Sequence, residues 1–244
     1  MGSPSRRDGQ DALSHRRYVG ELFRNIVPRY DLMNTLMTGG MHHRWRRDAV
    51  RKATQGLEGV ALDVAAGTGD LTLALADAPG ISHVVGLDLV SQMLDTARSK
   101  AARKGRGDLC SFMVGDALSL PYPDDTFVCA TTAWGLRNMP DLDGCLGEMV
   151  RVVKPAGMVV SLESFPVRKG AMKLVVPLLF HRLVPLLGHL VAGQREAYTY
   201  LPRSVEGFLT VEEMARRFEE AGLVDVGYAR RGFGAVALHW GTAP

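Results

Sequence analysis

The chain has 244 residues, 46% hydrophobic and 23% charged, an ordinary globular mixture with enough apolar residue for one large domain or two small ones. Its formal net charge of +3 and pI near 8.8 are too mild to argue for a nucleic-acid partner, which needs a concentrated basic face. Three cysteines, Cys110, Cys129 and Cys145, are odd in number and lack a C-x-x-C pair, so neither a zinc site nor a disulfide framework is indicated and a reducing cytoplasm fits best.

The polar start, MGSPSRRDGQD, lacks the apolar core of a signal peptide, and residues 1–13 read as a disordered tail. Residues 14–55 look helical in pieces, with breaks at Pro28 and at Gly39 and Gly40, and are expected to form an N-terminal helical lid. Within it His42 and His43 stand beside Arg44, Arg46 and Arg47, which reads as a solvated basic helix. From residue 59 short apolar runs alternate with helical segments: VALDVAA, DLTLALAD, HVVGLDL, SQMLDTARSKAARK, CSFMVGDA, FVCATTAW, CLGEMVRVV and GMVVSLESF. Alternation of this kind predicts right-handed crossovers on a parallel sheet, and the scarcity of polar alternation predicts strands buried on both faces.

An apolar stretch at 174–193 is broken by Pro177 and Pro185 and carries His181 and Arg182 at its centre, so it is not built to span a membrane. It reads as an insertion, 166–208, serving either as an apolar wall resting on a membrane or as a dimer interface. LTVEEMARRFEEAGL then has Thr210 as N-cap, Glu213 three residues on and Gly222 as a stop. The tail VDVGYARRGFGAVALHW predicts a closing hairpin around Gly232 and Gly234.

In LDVAAGTGDLTLALA, residues 62–76, a strand breaks into a small-residue turn and resumes as a helix. No lysine closes the turn, so it is not a triphosphate loop. Gly67 and Gly69 flank Thr68 and let backbone approach a ligand, while Asp63 and Asp70 predict a negative rim that repels pyrophosphate and suits a cation. The next strand ends at Asp88, about 20 residues beyond the turn, where a carboxylate can accept from both hydroxyls of a ribose. The third ends at Asp116 and Ala117, where a side chain and a backbone N–H can read an adenine edge. S-adenosylmethionine has this form. NAD is the competitor, although Ala65 and Leu71 stand where G-x-G-x-x-G would need glycine; a plain strand-to-helix connection is the third reading and leaves Asp88 and Asp116 unexplained.

YDLMNTLMTGGMHHRWRRDAV, LDVAAGTGDLT, GDALSLPYPDDTFVCATTAWGLRNMPD, MVRVVKPAGMVVSLE, AYTYLPRSVEGF and AVALHWG together resemble, in order and spacing over residues 18–242, the menaquinone/ubiquinone biosynthesis C-methyltransferases. The resemblance implies an α/β class I methyltransferase fold: a seven-stranded, Rossmann-like, mostly parallel sheet with an antiparallel C-terminal hairpin, occupying residues 56–244. It implies S-adenosylmethionine as cofactor and methylation of a ring carbon of a prenylated quinol, most plausibly demethylmenaquinol. Carried across, the family's cofactor contacts fall on Thr68, Asp88, Asp116 and Ala117. Ala133 departs from a serine common in the family, and Ala66 from a glycine or cysteine. Alternatives are another phenolic or lipid-like acceptor, or a binding subunit without catalysis.

Methyl transfer to an aromatic carbon needs an electron-rich ring, which a quinol becomes on losing a proton. Arg137 in GLRN is suited to stabilise the resulting oxyanion, since guanidinium stays charged and donates directionally. Its alternative is a salt bridge to Asp141 or Asp143. Asn138 can orient the second oxygen, Tyr30 and Asn34 can meet the substrate from the lid, and Tyr198 and Tyr200 can line the opposite wall; for each tyrosine the alternative is an aromatic packed at a core edge. The expected location is cytoplasmic, peripheral to the inner face of the membrane, with a homodimer as the second use of the apolar insertion.

Overall fold

The computed structural model describes residues 17–168 and 195–244, with positions 173 and 182 between them. The expected tail, 1–13, and most of the apolar stretch 174–193 lie outside the described residues. Seven strands form one sheet: β1 (Gly59–Val64), β2 (Ile81–Asp88), β3 (Cys110–Val114), β4 (Phe127–Ala133), β5 (Val153–Ser164), β6 (Val224–Arg231) and β7 (Val236–Thr242), in the order β3-β2-β1-β4-β5-β7-β6. The first five pair in parallel and β7 is antiparallel to both neighbours, as the alternating pattern and the glycine-flanked tail predict. The order reverses between β1 and β4, so a crevice opens beyond their carboxyl ends.

Helices cover both faces. On one side lie α3 (Met41–Thr54), α4 (Asp70–Ala76) and α5 (Ser91–Arg103), sharing a core around Trp45, Ala49, Leu75, Val84 and Val160. On the other, α6 (Leu142–Arg151) and α8 (Val211–Glu220) bury Leu146, Met149, Met214 and Phe218 against Leu62, Phe127 and Val159. β4 is buried along its length until Ala133, which is why FVCATTA shows no polar alternation. α8 begins with the expected capping box: Thr210 Oγ1 accepts from the Glu213 N–H, and Glu213 accepts from the Thr210 N–H. Lys154-Pro155-Ala156-Gly157 is taken into β5, where Ala156 lies at φ +63° and the β4 pairing shifts register, the mark of a bulge.

The N-terminal segment has its own small core. Helical residues 17–26, here α1, and α2 (Tyr30–Thr38) bury Leu22, Ile26 and Met33 against Val90 and Met93 at the start of α5. Tyr200 and Leu201 of α7 (Arg195–Glu206) join this cluster from the other side. The reading of α3 as a solvated basic helix is corrected in part. His43, Arg44 and Arg47 are exposed, but His42 and Arg46 are buried, because positions 42, 45, 46, 49, 50 and 53 form one helical stripe facing the sheet.

Candidate active site

β1 runs into its turn through residues in left-handed backbone: Ala65 at φ +56°, Gly67 at φ +56° and Gly69 at φ +79°. A Cβ on Gly69 would lie 2.7 Å from the Cβ of Ala97, so glycine there lets the turn sit directly on α5. A Cβ on Gly67 would meet nothing, because that position faces the crevice. The Gly67 N–H donates to Asp88 Oδ2 at 2.8 Å, and the Val90 N–H donates to Asp88 Oδ1 at 2.8 Å. The end of β2 is thereby held against the turn. Burial pushes the Asp88 carboxyl above its usual range, and the donated backbone N–H groups pull against that.

A pocket of about 810 Å³, counted with its open mouth, fills this crevice. Gly67, Asp88, Asp116 and Ala117 line its sheet side, Phe23 and Tyr30 come from the N-terminal helical segment, and Ala133, Trp134 and Asn138 close it from the end of β4. Asp116 Oδ1 accepts from the Leu118 N–H at 2.9 Å, which orders the loop after β3. No lysine or arginine is among the described residues lining the pocket, whereas two carboxylates are. That donor set suits a nucleoside with a cationic tail and is poor for pyrophosphate, and the open position at Gly67 leaves room for such a ligand. Four of the expected cofactor residues, Gly67, Asp88, Asp116 and Ala117, are thus brought together.

The other three are turned away from the pocket. Asp63 is fully buried below the turn, its Oδ2 accepting from the Thr72 hydroxyl at 2.6 Å, and burial pushes its carboxyl up to about 7. Thr68 is 2% exposed, and its hydroxyl donates to Asp31 Oδ1 at 2.6 Å. Gly69 serves the contact with α5. The expected negative rim is also corrected: Asp63 is interior, and Asp70 is paired with both Lys100 and Arg46. Burial opposes the charge on Asp70, but Arg46 and then Lys100 outweigh it and hold its carboxyl below the usual range.

Arg137 does not pair with Asp141 or Asp143. Asp141 caps α6 by accepting from the Gly144 N–H, and Asp143 meets Arg217 at 3.0 Å. Arg137 Nη1 instead donates to Glu163 Oε1 at 2.6 Å and to the Trp134 carbonyl at 2.9 Å, and its Nε donates to Ser204 Oγ at 3.3 Å. Among the described residues no hydrogen bond engages its Nη2. The guanidinium stands behind the pocket wall, while Asn138 forms part of that wall. Asn138 Nδ2 donates to the Trp134 carbonyl at 3.1 Å and its Oδ1 accepts from the Tyr200 hydroxyl at 3.1 Å. Tyr200 stacks edge-on with Tyr18, and the side chain of Tyr198 lies outside the described residues.

Tyr30 faces the pocket, and one turn along α2 the Nδ2 of Asn34 is buried with no hydrogen-bond partner among the described residues. Burial, the largest influence, pushes the Tyr30 phenol above its ordinary range, against the polar influence of Asn34 and the charge of Arg137. Its phenol therefore stays protonated at neutral pH and is suited to donate rather than to act as a base. Burial, then the charge of Arg46, holds His42 down to about 4, so its imidazole is neutral near pH 7. Arg46 lies over the Trp134 ring at 4.9 Å and supports the wall from behind. Among the described residues no group of three or more His, Cys, Asp or Glu side chains is arranged to hold a metal, and no helix is long and apolar enough to cross a membrane.

Glu163, Lys100, Arg46 and Asp31 escaped the reading of the sequence. Glu163 carried a signal, a carboxylate inside the apolar run VVSLESF; so did Lys100 and Arg46, cations at positions on the apolar stripes of their helices.

Comparison with known proteins follows the same lines. A model of the ubiE/COQ5 methyltransferase family matches residues 11–243. The demethylmenaquinone methyltransferase of Thermus thermophilus is 45% identical over 224 residues, covering 91% of this chain and 100% of that protein. The demethylmenaquinone methyltransferase of Desulfitobacterium hafniense is 39% identical over 228 residues, covering 93% and 90%. Among solved structures, a SAM-dependent methyltransferase from Thermotoga maritima has a TM-score of 0.65 at 17% identity, covering 92% of this chain and 99% of that one, a likeness that establishes the fold.

Proposed function

Since this chain belongs to the ubiE/COQ5 methyltransferase family, we propose that it is an S-adenosylmethionine-dependent C-methyltransferase of quinone biosynthesis that converts demethylmenaquinol to menaquinol. The observation that carries this reading is a single pocket whose sheet side offers Asp88, Asp116 and Ala117 and whose other side offers Tyr30, Trp134 and Asn138. S-adenosylmethionine, when bound, supplies an electrophilic methyl group. Asp88 would accept from its ribose hydroxyls, and Asp116 with the Ala117 N–H would read its adenine.

On the acceptor side Asn138 and Tyr30 would orient the quinol oxygens, with Tyr200 bracing Asn138 and the unpartnered amide of Asn34 available to the substrate. Arg137, fixed by Glu163 and Ser204 behind the wall, would stabilise the quinolate through its field. Among the described residues no side chain at this wall is a ready base, since the tyrosines Tyr30 and Tyr200 are both shifted toward protonation by burial. Water beside Arg137 would then receive the proton.

Peripheral membrane contact is part of this proposal, because a prenylated substrate resides in lipid and the lid exposes Leu32, Leu36 and Met41 near the exposed Arg44 and Arg47. A homodimer through the apolar insertion is the second use open to residues 166–208. The test of the reaction is incubation with methyl-labelled S-adenosylmethionine and the demethylated naphthoquinol and benzoquinol, followed by mass spectrometry. Label on the naphthoquinol ring carbon is the expected product. Bound cofactor with label on neither acceptor would reduce the protein to a binder.

A further inference from the structure

Beneath the glycine turn, side chains from four separate segments meet in one largely buried cluster, none of them lining the pocket. Lys100 Nζ, from α5, donates to Asp31 Oδ2 of α2 at 2.8 Å, to Thr68 Oγ1 of the turn at 3.2 Å, and to Asp70 Oδ1 at the start of α4. Thr68 Oγ1 in turn donates to Asp31 Oδ1 at 2.6 Å. Arg46 Nη1, from α3, lies 3.1 Å from Asp70 Oδ2 and also contacts His42 Nδ1, while His42 Nε2 lies 3.2 Å from Thr35 Oγ1, which brings the cluster back onto α2.

Two cations face two carboxylates, and the Lys100 and Arg46 side chains are 10% and 7% exposed. Removing such groups from water is costly, and apolar residues would stabilise this position as well or better. What the cluster adds is direction. Asp31 adjoins Tyr30 and sits three residues before Asn34, so anchoring its carboxylate fixes the helix that presents both. Thr68 lies between Gly67 and Gly69, so anchoring its hydroxyl fixes the turn. Thr68 and Asp31 are bonded directly, and among the described residues Lys100 is the cation that bonds to both and holds them together.

We propose that Lys100 is a positioning residue that ties the lid helix α2 to the turn, so that filling the turn orders the wall on which the acceptor lies. The inference rests on the reading of that turn as the cofactor's. It requires no group to move a proton and no further ligand.

The test is amide hydrogen exchange on the full chain, with and without saturating S-adenosylmethionine, for the parent, Lys100→Met, Lys100→Arg and Asp31→Asn. In the parent the cofactor should slow exchange in residues 65–70 and in α2 together. Lys100→Met and Asp31→Asn should keep protection in 65–70 but lose it in α2, by about 5–150-fold, the size of ordinary coupling between sites. Lys100→Arg should restore much of it. Amides of β1 and β4 in the same runs report the fold, and Asp31→Asn, at a side chain 43% exposed, decides the matter if Lys100→Met does not fold. In turnover, Asp31→Asn should raise KM for the quinol more than Kd for the cofactor. Protection of the turn without protection of α2 in the parent, or α2 protection that survives both variants, overturns the latch while leaving the cofactor reading intact. Absence of protection at 65–70 in the parent overturns that reading and the latch with it.

Discussion

Glu163 Oε1 lies 2.6 Å from Arg137 Nη1, and the two side chains are 1% and 4% exposed. The carboxylate also accepts from the Ser164 and Arg137 N–H groups, so it fixes the backbone as well as the guanidinium. Glu163→Ala should destabilise the fold by about 3–5 kcal/mol, the usual result of leaving one buried charge unpaired. Glu163→Gln keeps an acceptor and should lose less. Denaturant unfolding of both variants beside Arg137→Met checks this, and equal stability of Glu163→Ala and the parent would show the pair to be energetically idle.

Arg137→Lys retains charge but replaces a planar, directional donor with a mobile ammonium. Methyl transfer should slow, by no more than roughly 10²–10³-fold, the scale of losing an oxyanion donor in direct contact. Raising the pH should recover part of the rate, because solvent then supplies more ionised quinol. Single-turnover transfer across pH, with cofactor affinity measured on the same samples, separates this from a structural defect, in which activity would fall only in step with folding.

Asp88→Ala removes a carboxylate that accepts from two backbone N–H groups and lies open to the pocket. Cofactor binding should weaken by about 1.5–3 kcal/mol, the worth of hydrogen bonds to a charged group. Calorimetric titration is the measurement. Unchanged affinity in a folded variant removes Asp88 from the site.

Asp63 gives a pH signature. Its folded carboxyl titrates near 7 against an unfolded value of 3.8, so between these limits the folded chain holds the proton and the unfolded chain does not. Its contribution therefore declines as pH rises through that window. Asp63→Asn abolishes the titration, and the stability of the variant relative to the parent should rise from pH 4 to pH 7. A flat difference in Tm across those values would mean that Asp63 is charged at neutral pH in the fold.

Partition onto anionic vesicles should be visible at low salt and should weaken as salt shortens the screening length to about 8 Å. Leu32→Ser with Leu36→Ser should reduce it. Failure of flotation to recover any protein even at low salt would rule out charge-assisted contact.

The legible part of this protein is the part in which neighbours in sequence are neighbours in space. Strand ends are of this kind: a carboxylate about 20 residues after a glycine turn announced Asp88, and GDA announced Asp116. The alternating runs gave the parallel sheet for the same reason, and the glycines at 232 and 234 the hairpin. Side-chain destinations were less legible. Arg137 finds a partner 26 residues away rather than the nearby Asp141, and Thr68 is claimed by Asp31, 37 residues before it. The stripe of α3 was readable from spacing, yet its arginines and histidines masked it, since a buried Arg46 makes sense only once Asp70 is in place.

The compensated rim carries a further consequence. On the proposed assignment the cofactor is gripped by its adenosine half, through Asp88, Asp116 and Ala117. The spent donor, which has lost a methyl group and a positive charge, presents the same half. Asp88 and Asp116 are committed to that half, while the two carboxylates nearest the turn are engaged elsewhere, Asp70 with Lys100 and Arg46, and Asp63 beneath the turn. Product inhibition follows, and the enzyme's pace in a cell then tracks the ratio of fresh to spent donor as much as the supply of quinol.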